Sequence, residues 1–359
     1  MESLVATYRV QVLDDRFDFE SHHCDKTVAV ETFVENKLVS ITKYGYVSPD
    51  EVFEQLKKGE DINLDRCYIK DFSISAYKKQ IDFEDLTHIE LNNFSAENAF
   101  FDCTLRTDFS YIDFKGEVNF NDAVFAHGNV SFYECNFSDA HLGFKNVEFG
   151  NGEISFQYVN FGNADVDFGS SKFYGGVVSF VNASFGKGNA NFNNVNFYDS
   201  KVKFHYAKFK DGDLSFQKSK FGNQTVDFRR VEFGMGRVDF RRAVFGNGYI
   251  VFDEAEFKAG RLNFRSARFG DNDMSFKQVN FGEAEVLFEN VNFGSGSVRF
   301  SQSVSKYISF KGSRLDVALD LCVKKAEVID LSETIVRDVI DLKTINHRVN
   351  IKTLYLNGM

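Results

Sequence analysis

The chain has 359 residues, a formal net charge of −10 and 43% hydrophobic residues, enough apolar material for a real core. That material is concentrated in one residue type, with 43 Phe against no Trp and a single Pro, which excludes an ordinary globular mixture. No run approaches the roughly 18–20 consecutive apolar residues of a membrane span, and the first residues lack the basic segment and apolar run of a secretory signal.

Residues 1–47 follow no fixed period. The alternations Val10-Gln11-Val12, Phe17-Asp18-Phe19 and Val28-Ala29-Val30 predict short strands, so residues 1–59 read as a small β-rich N-terminal cap. Within it, His22-His23-Cys24-Asp25 is the only cluster with metal-ligand residue types. Adjacent residues on a strand point to opposite sides and no second cluster lies at useful spacing, so the cluster reads as an exposed polar turn. The cap ends in a helix. Ser48 is the expected N-cap, Pro49 the first helical residue and Glu51 the partner in a capping box; Gly59 ends it. Val52, Phe53 and Leu56 form its apolar face, expected to pack over the open first coil of the repeat region.

From residue 60 onward a repeat takes over, first in five-residue steps at Ile62-Asn63-Leu64, Cys67-Tyr68-Ile69 and Phe72-Ser73-Ile74. Thirty-one phenylalanines then run from Phe120 to Phe300 at intervals alternating five and seven, a regular ladder over 118–300. A fixed short period is the signature of a solenoid. Each twelve-residue unit, such as Val166-Asp167-Phe168-Gly169-Ser170-Ser171-Lys172-Phe173, holds two short pieces with apolar or small residues at i and i+2 on one strand face. Gly and Asn between them, as in Phe233-Gly234-Met235-Gly236, suit corners that demand positive φ. Short inward-facing strands joined by tight corners make a β-helix.

The triplets Ala123-Val124-Phe125, Ala183-Ser184-Phe185, Ala207-Lys208-Phe209 and Ala243-Val244-Phe245 resemble the pentapeptide-repeat family. The resemblance implies an all-β, right-handed, four-sided β-helix over residues 60–356. The departure is that every second step is seven residues long. Charge decides the coil length. A 12-residue coil would stack Arg229 on Arg241 and Arg230 on Arg242, and like charges directly opposite are destabilising. A 24-residue coil instead stacks Arg229 with Asp253, Arg230 with Glu254, Lys203 with Asp227, Lys208 with Glu232, Asp213 with Arg237 and Arg261 with Glu285, and is the expected repeat.

Over residues 301–356 Phe gives way to Leu, Ile and Val, but Ile329-Asp330-Leu331, Ile340-Asp341-Leu342, Val349-Asn350-Ile351 and Leu354-Tyr355-Leu356 keep the alternation. The apolar end of the final coils is expected to be a self-association surface through Val349, Ile351, Leu354 and Leu356, forming a homodimer. A chain that continues past Met359 is the alternative. Cys24, Cys67, Cys103, Cys135 and Cys322 are odd in number and scattered, and read as reduced thiols of a cytoplasmic protein, with Cys67 and Cys135 facing inward.

No phosphate-binding loop, dinucleotide fingerprint or nucleophile elbow is present, so no catalytic residue, cofactor or metal is expected. Between Lys201 and Arg268 fifteen Lys or Arg face eight Asp or Glu, within an otherwise acidic chain. Arg229, Arg230, Arg237, Arg241, Arg242 and Arg265 are the candidate patch for an anionic partner. The competing reading is that these arginines only neutralise neighbouring carboxylates. The expected function is a non-catalytic structural or macromolecule-binding rod that recognises a protein or other polymer through its faces, with a protein the expected partner; direct nucleic-acid binding is not expected. The family resemblance offers an alternative, a DNA mimic that binds and protects a type II topoisomerase. A scaffold or sensor module of a larger assembly is the third reading.

Overall fold

The computed structural model describes residues 6–20, 22–137, 141–342 and 350–359. The chain divides into two compact units, Met1–Ser179 and Phe180–Met359.

The first unit opens with an antiparallel sheet of β1 (Thr7–Leu13), β4 (Thr27–Val34) and β5 (Lys37–Val47), beside a small hairpin of β2 (Phe17–Phe19) and β3 (His22–Cys24). Helix α1 (Pro49–Lys58) has the expected ends: Ser48 and Glu51 close a capping box, and Gly59 takes φ 67°. Its Phe53 ring lies 6.3 Å from Phe72 and 5.3 Å from Tyr77. The helix packs on the first coil as expected, and β5 in addition covers the strand edge there. β5 pairs in parallel with β7 (Cys67–Lys70), Gly45 opposite Cys67, after the short β6 (Ile62–Asn63). The cap therefore continues one face of the solenoid by strand addition.

A second helix, α2 (Ile74–Gln80), replaces the five-residue step expected at Phe72-Ser73-Ile74. Ser73 has the i, i+2 pattern of a strand, yet its side chain accepts a bond from the Ala76 amide and caps a helix that buries Ile74 and Tyr77. This insertion lengthens the step from Ile62 to its stacked partner Phe94; the next step, Phe94 to Val118, is the regular 24 residues.

The remainder of this unit is a β-solenoid of short parallel strands on four faces. Val118, Leu142 and Val166 stack on one, Val124, Glu148 and Lys172 on a second, Val130, Ile154 and Val178 on a third, and Asn136 bridges to Asn160 on the fourth. The second unit repeats the plan, with Leu214, Val238, Leu262 and Val286 on one face and Val202, Val226, Ile250 and Met274 on another. Lys220, Val244 and Arg268 mark its third face, and Ser184, Lys208, Glu232 and Glu256 its fourth. Twenty-four residues separate stacked partners of this unit up to Phe300. Beyond it Glu285 stacks on Tyr307 and Ser309 on Asp330, because the seven-residue steps disappear and Val304–Ser309 runs as one strand where earlier coils turn.

The Phe ladder is the core. Phe101, Phe125, Phe149 and Phe173 stack in one column of the first unit, and Phe109, Phe132 and Phe156 in another. In the second unit Phe180, Phe204, Phe228, Phe252, Phe276 and Phe300 stack 4.7–5.1 Å apart. A second column, Phe192, Phe216, Phe240, Phe264 and Phe288, meets it edge to face, Phe204 to Phe216 at 5.9 Å and 82°. Offset stacks along the axis and T-shaped contacts across it are both favoured by the ring quadrupole.

The corners correct one expectation. Positive φ recurs every twelve residues from Asp122 to Gln302, two residues after a central Phe, and none of these residues is Gly. Asn146, Asn182 and Asn194 suit that conformation, but Tyr158, Tyr206, Lys218, Arg230, Arg242 and Glu254 adopt it too, at φ 54–61°. Several glycines of the seven-residue steps answer a different need. A Cβ at Gly234 would lie 1.3 Å from the Lys210 carbonyl oxygen of the coil below, and one at Gly222 would lie 1.8 Å from that of Tyr198. Lack of room, and not φ, selects glycine at these two positions.

Candidate functional site

Three of the six candidate arginines meet a carboxylate that the 24-residue register sets within reach. Arg230 holds Glu254 through two bonds of 2.9 and 3.2 Å, donates to the Tyr206 hydroxyl at 2.5 Å, and lies over the Tyr206 ring. Arg237 donates to Asp213 at 2.6 and 2.9 Å, and Arg265 to Glu289 at 2.7 Å. Lys208 pairs with Glu232 at 2.8 Å and Arg261 with Glu285 at 2.6 Å, as the 24-residue coil predicts. Like charges do meet in register, Arg237 beside Arg261, but each reaches away from the other to its own carboxylate.

Arg229 departs from the expected pairing with Asp253. It sits in the turn just after the strand Val226–Asp227 and clamps Asp227 two residues earlier, at 2.6 and 2.9 Å, while that carboxylate also accepts the Arg229 amide. Arg241 does the same with Asp239 at 2.8 Å. An Asp two residues away, already fixed by the arginine's own amide, competes better than one a coil away. Asp253 instead accepts from Ser275 at 2.5 Å and from the Lys277 amide.

Arg242 is different. Among the described residues its guanidinium has no carboxylate or hydrogen-bond partner, and the same holds for the side chains of Lys218, Lys220 and Arg268. All four are exposed. Lys218 and Arg242 occupy the same left-handed corner in successive coils, where coil spacing is ~4.8 Å. Lys220 and Arg268 stand on the adjoining face with Val244 between them. The patch is thus narrower than the sequence suggested: five of six arginines are neutralised, and the cations that remain include three not singled out by their spacing. Their absence of a partner at ±24 or −2 is the signal that finds them.

The other candidate regions are quickly placed. Ile351 and Leu354 lie on the final strand Ile351–Tyr355, partly exposed, and Leu356 is exposed just beyond it; Val349 lies outside the described residues. Near the hairpin, His23 binds Asp18 at 2.6 Å while the Cys24 side chain points into the protein. Among the described residues no group of three or more His, Cys, Asp or Glu side chains is gathered to hold a metal ion. No helix there is long and apolar enough to cross a membrane. The chain matches no family model and no curated protein.

Several structural carboxylates are held below their ordinary range. Burial alone would raise Asp108, but bonds from Ser110 and Ser75 and the nearby Arg106 outweigh it. Asp227 and Asp213 show the same balance, burial opposed and exceeded by Arg229 and Arg237 respectively. A carboxyl depressed in the folded state contributes stability above its unfolded pKa and loses it as pH falls through the folded value. The melting temperature is therefore expected to hold near neutrality and drop below about pH 4. Thermal melts between pH 7 and pH 3 check this; a melting temperature that rises with acid contradicts it.

Proposed function

We propose that this protein is a non-catalytic β-solenoid, a distant variant of the pentapeptide-repeat type, that docks a protein partner through an acidic segment. The observation that carries the reading is the corner formed by Lys218 and Arg242 with Lys220 and Arg268 beside it. A bulky residue in the left-handed conformation costs roughly 1 kcal/mol or more and persists where something compensates it. Arg230 at the opposite corner is compensated by Glu254 and Tyr206. Lys218 and Arg242 have no such compensation within the described residues. Asn would satisfy the same turn at lower cost.

The test separates binding from folding. Lys218→Asn combined with Arg242→Asn is expected to leave the melting temperature unchanged or raise it slightly. The same double variant is expected to lose at least tenfold in affinity for a poly-glutamate peptide, with wild-type binding that weakens as salt rises. Equal binding by wild type and variant rules this corner out. The DNA-mimic alternative draws on the acidic excess of residues 1–114 and is tested separately, by whether the protein shields a type II topoisomerase in a supercoiling assay.

A further inference from the structure

The described residues contain two cysteines brought together from separate elements. Cys24 ends the hairpin strand β3, and Cys67 opens β7 in the first coil. Gly45 on β5 is what lets them meet. It stands directly opposite Cys67 in the parallel ladder, and a Cβ there would come within 2.4 Å of the Cys24 sulfur. The Cys24 thiol therefore occupies the space that any other residue at position 45 would fill. The register and this packing set the Cys24 thiol beside Cys67, whose Sγ donates to the Asp65 carbonyl oxygen at 3.4 Å.

The two thiols differ in access. Cys67 is fully buried, whereas Cys24 is 7% exposed and lines a cavity of ≈ 380 Å³ whose wall also includes His23, Lys26, Tyr46, Ser48 and Glu51. The cavity is open to a small polar oxidant, and its wall carries the basic residues Lys26 and His23 together with the carboxylates Asp25 and Glu51.

We propose that Cys24 and Cys67 form a peroxide-sensitive disulfide site that locks the N-terminal cap to the first coil. In the first step the Cys24 thiolate attacks a peroxide oxygen, the O–O bond breaks, and Cys24 becomes a sulfenic acid as one water leaves. In the second, the Cys67 sulfur attacks the Cys24 sulfur, the S–O bond breaks, and the hydroxyl departs with the Cys67 proton as a second water. Two thiols lose two hydrogens and one peroxide becomes two waters. Cys24 is the first target because it is the one of the two cysteines that lines the cavity and is not wholly buried; Cys67 is the resolving thiol because it is adjacent and shielded. Burial of Cys67 sets the pace of the second step, which waits for small movements of the hairpin.

The experiment uses the full chain. The protein is treated with hydrogen peroxide, denatured, alkylated and mapped by mass spectrometry. A linked pair of peptides containing Cys24 and Cys67 is expected, with Cys103, Cys135 and Cys322 alkylated. The oxidised protein should be cleaved within residues 6–47 about tenfold more slowly by a limiting protease, and dithiothreitol should restore the original rate. Cys67→Ser should accumulate a sulfenic acid at Cys24 that dimedone traps; Cys24→Ser should give no dimedone adduct at Cys67. Full alkylation of both thiols after peroxide treatment of the unmodified protein overturns the proposal, as does a first adduct at Cys67 or Cys322. The mapping needs no variant, so a misfolded mutant cannot obscure the answer.

Discussion

Phe216→Ala is expected to destabilise the second unit by about 3–5 kcal/mol, the range for truncating a fully buried Phe. Its ring is wholly buried, stacked 4.9 Å from Phe192 on one side and 4.9 Å from Phe240 on the other. Phe204 and Phe228 meet it edge-on at 5.9 and 6.0 Å, and Phe221 closes a fifth side at 5.7 Å. Backbone ladders fix the spacing of those neighbours, so they cannot collapse into the cavity, which places the cost towards the upper end. Each coil contacts only its neighbours, so the damage should be local. Amide exchange is expected to accelerate first between residues 192 and 240; equal acceleration across the whole unit is the result that counts against this picture.

Gly234→Ala is the second large effect. One methyl group would lie 1.3 Å from the Lys210 carbonyl oxygen and 2.3 Å from its carbon, both backbone atoms held by the ladder, so no rotamer change can relieve it. We expect a loss of about 3 kcal/mol, at the upper end of ordinary overpacking costs. Gly175→Ala is the matched control. Its nearest neighbour would be the Asn151 Cβ at 3.6 Å, an ordinary contact, and its φ is not positive. That change should alter stability by no more than about 0.5 kcal/mol, since reduced freedom of the unfolded chain offsets any small crowding. Denaturant melts of the two variants decide the point, and similar midpoints for both would show that the coils slide apart more easily than their hydrogen bonding suggests.

The two glycines also show how far the sequence could be read. Period and strand alternation placed every Phe from Phe120 to Phe300 in the interior, because a side chain's inward or outward direction follows from i, i+2 counting alone. Charge stacking gave the coil length, because a 24-residue register is a one-dimensional property. What counting could not supply was anything that depends on the adjacent coil in three dimensions. Gly234 looked like a residue chosen for its φ and proved to be one chosen for the carbonyl beneath it. Ser73 had strand spacing but caps a helix, because a serine before an apolar stretch serves either structure until packing selects one. Arg229, in the turn after its strand, found Asp227 two residues back before it could find Asp253 in the next coil. The 24-residue register had already paired Arg230 with Glu254 and Arg237 with Asp213; it could not supply the short-range pairs of Arg229 and Arg241, and subtracting both kinds of pair leaves Lys218 and Arg242.

Up to Phe300 each coil of the second unit is two twelve-residue halves, so the residue twelve places on sits at the corresponding corner on the far side of the same coil. The sequence pattern thus gives this part of the unit a pseudo-dyad, under which its two left-handed corners correspond in backbone conformation. Their side chains do not correspond. One edge carries Tyr206, Arg230 and Glu254, a closed triplet whose charges and hydroxyl satisfy one another. The other carries Lys218, Arg242 and Ser266, and among the described residues the side chains of Lys218 and Arg242 have no carboxylate or hydrogen-bond partner. This part of the molecule therefore has one edge whose charges are satisfied internally and one whose cations face solvent, and under the docking proposed above a partner would find its contacts in only one of two orientations. On a backbone that is nearly symmetric, the side chains alone set one edge apart from the other.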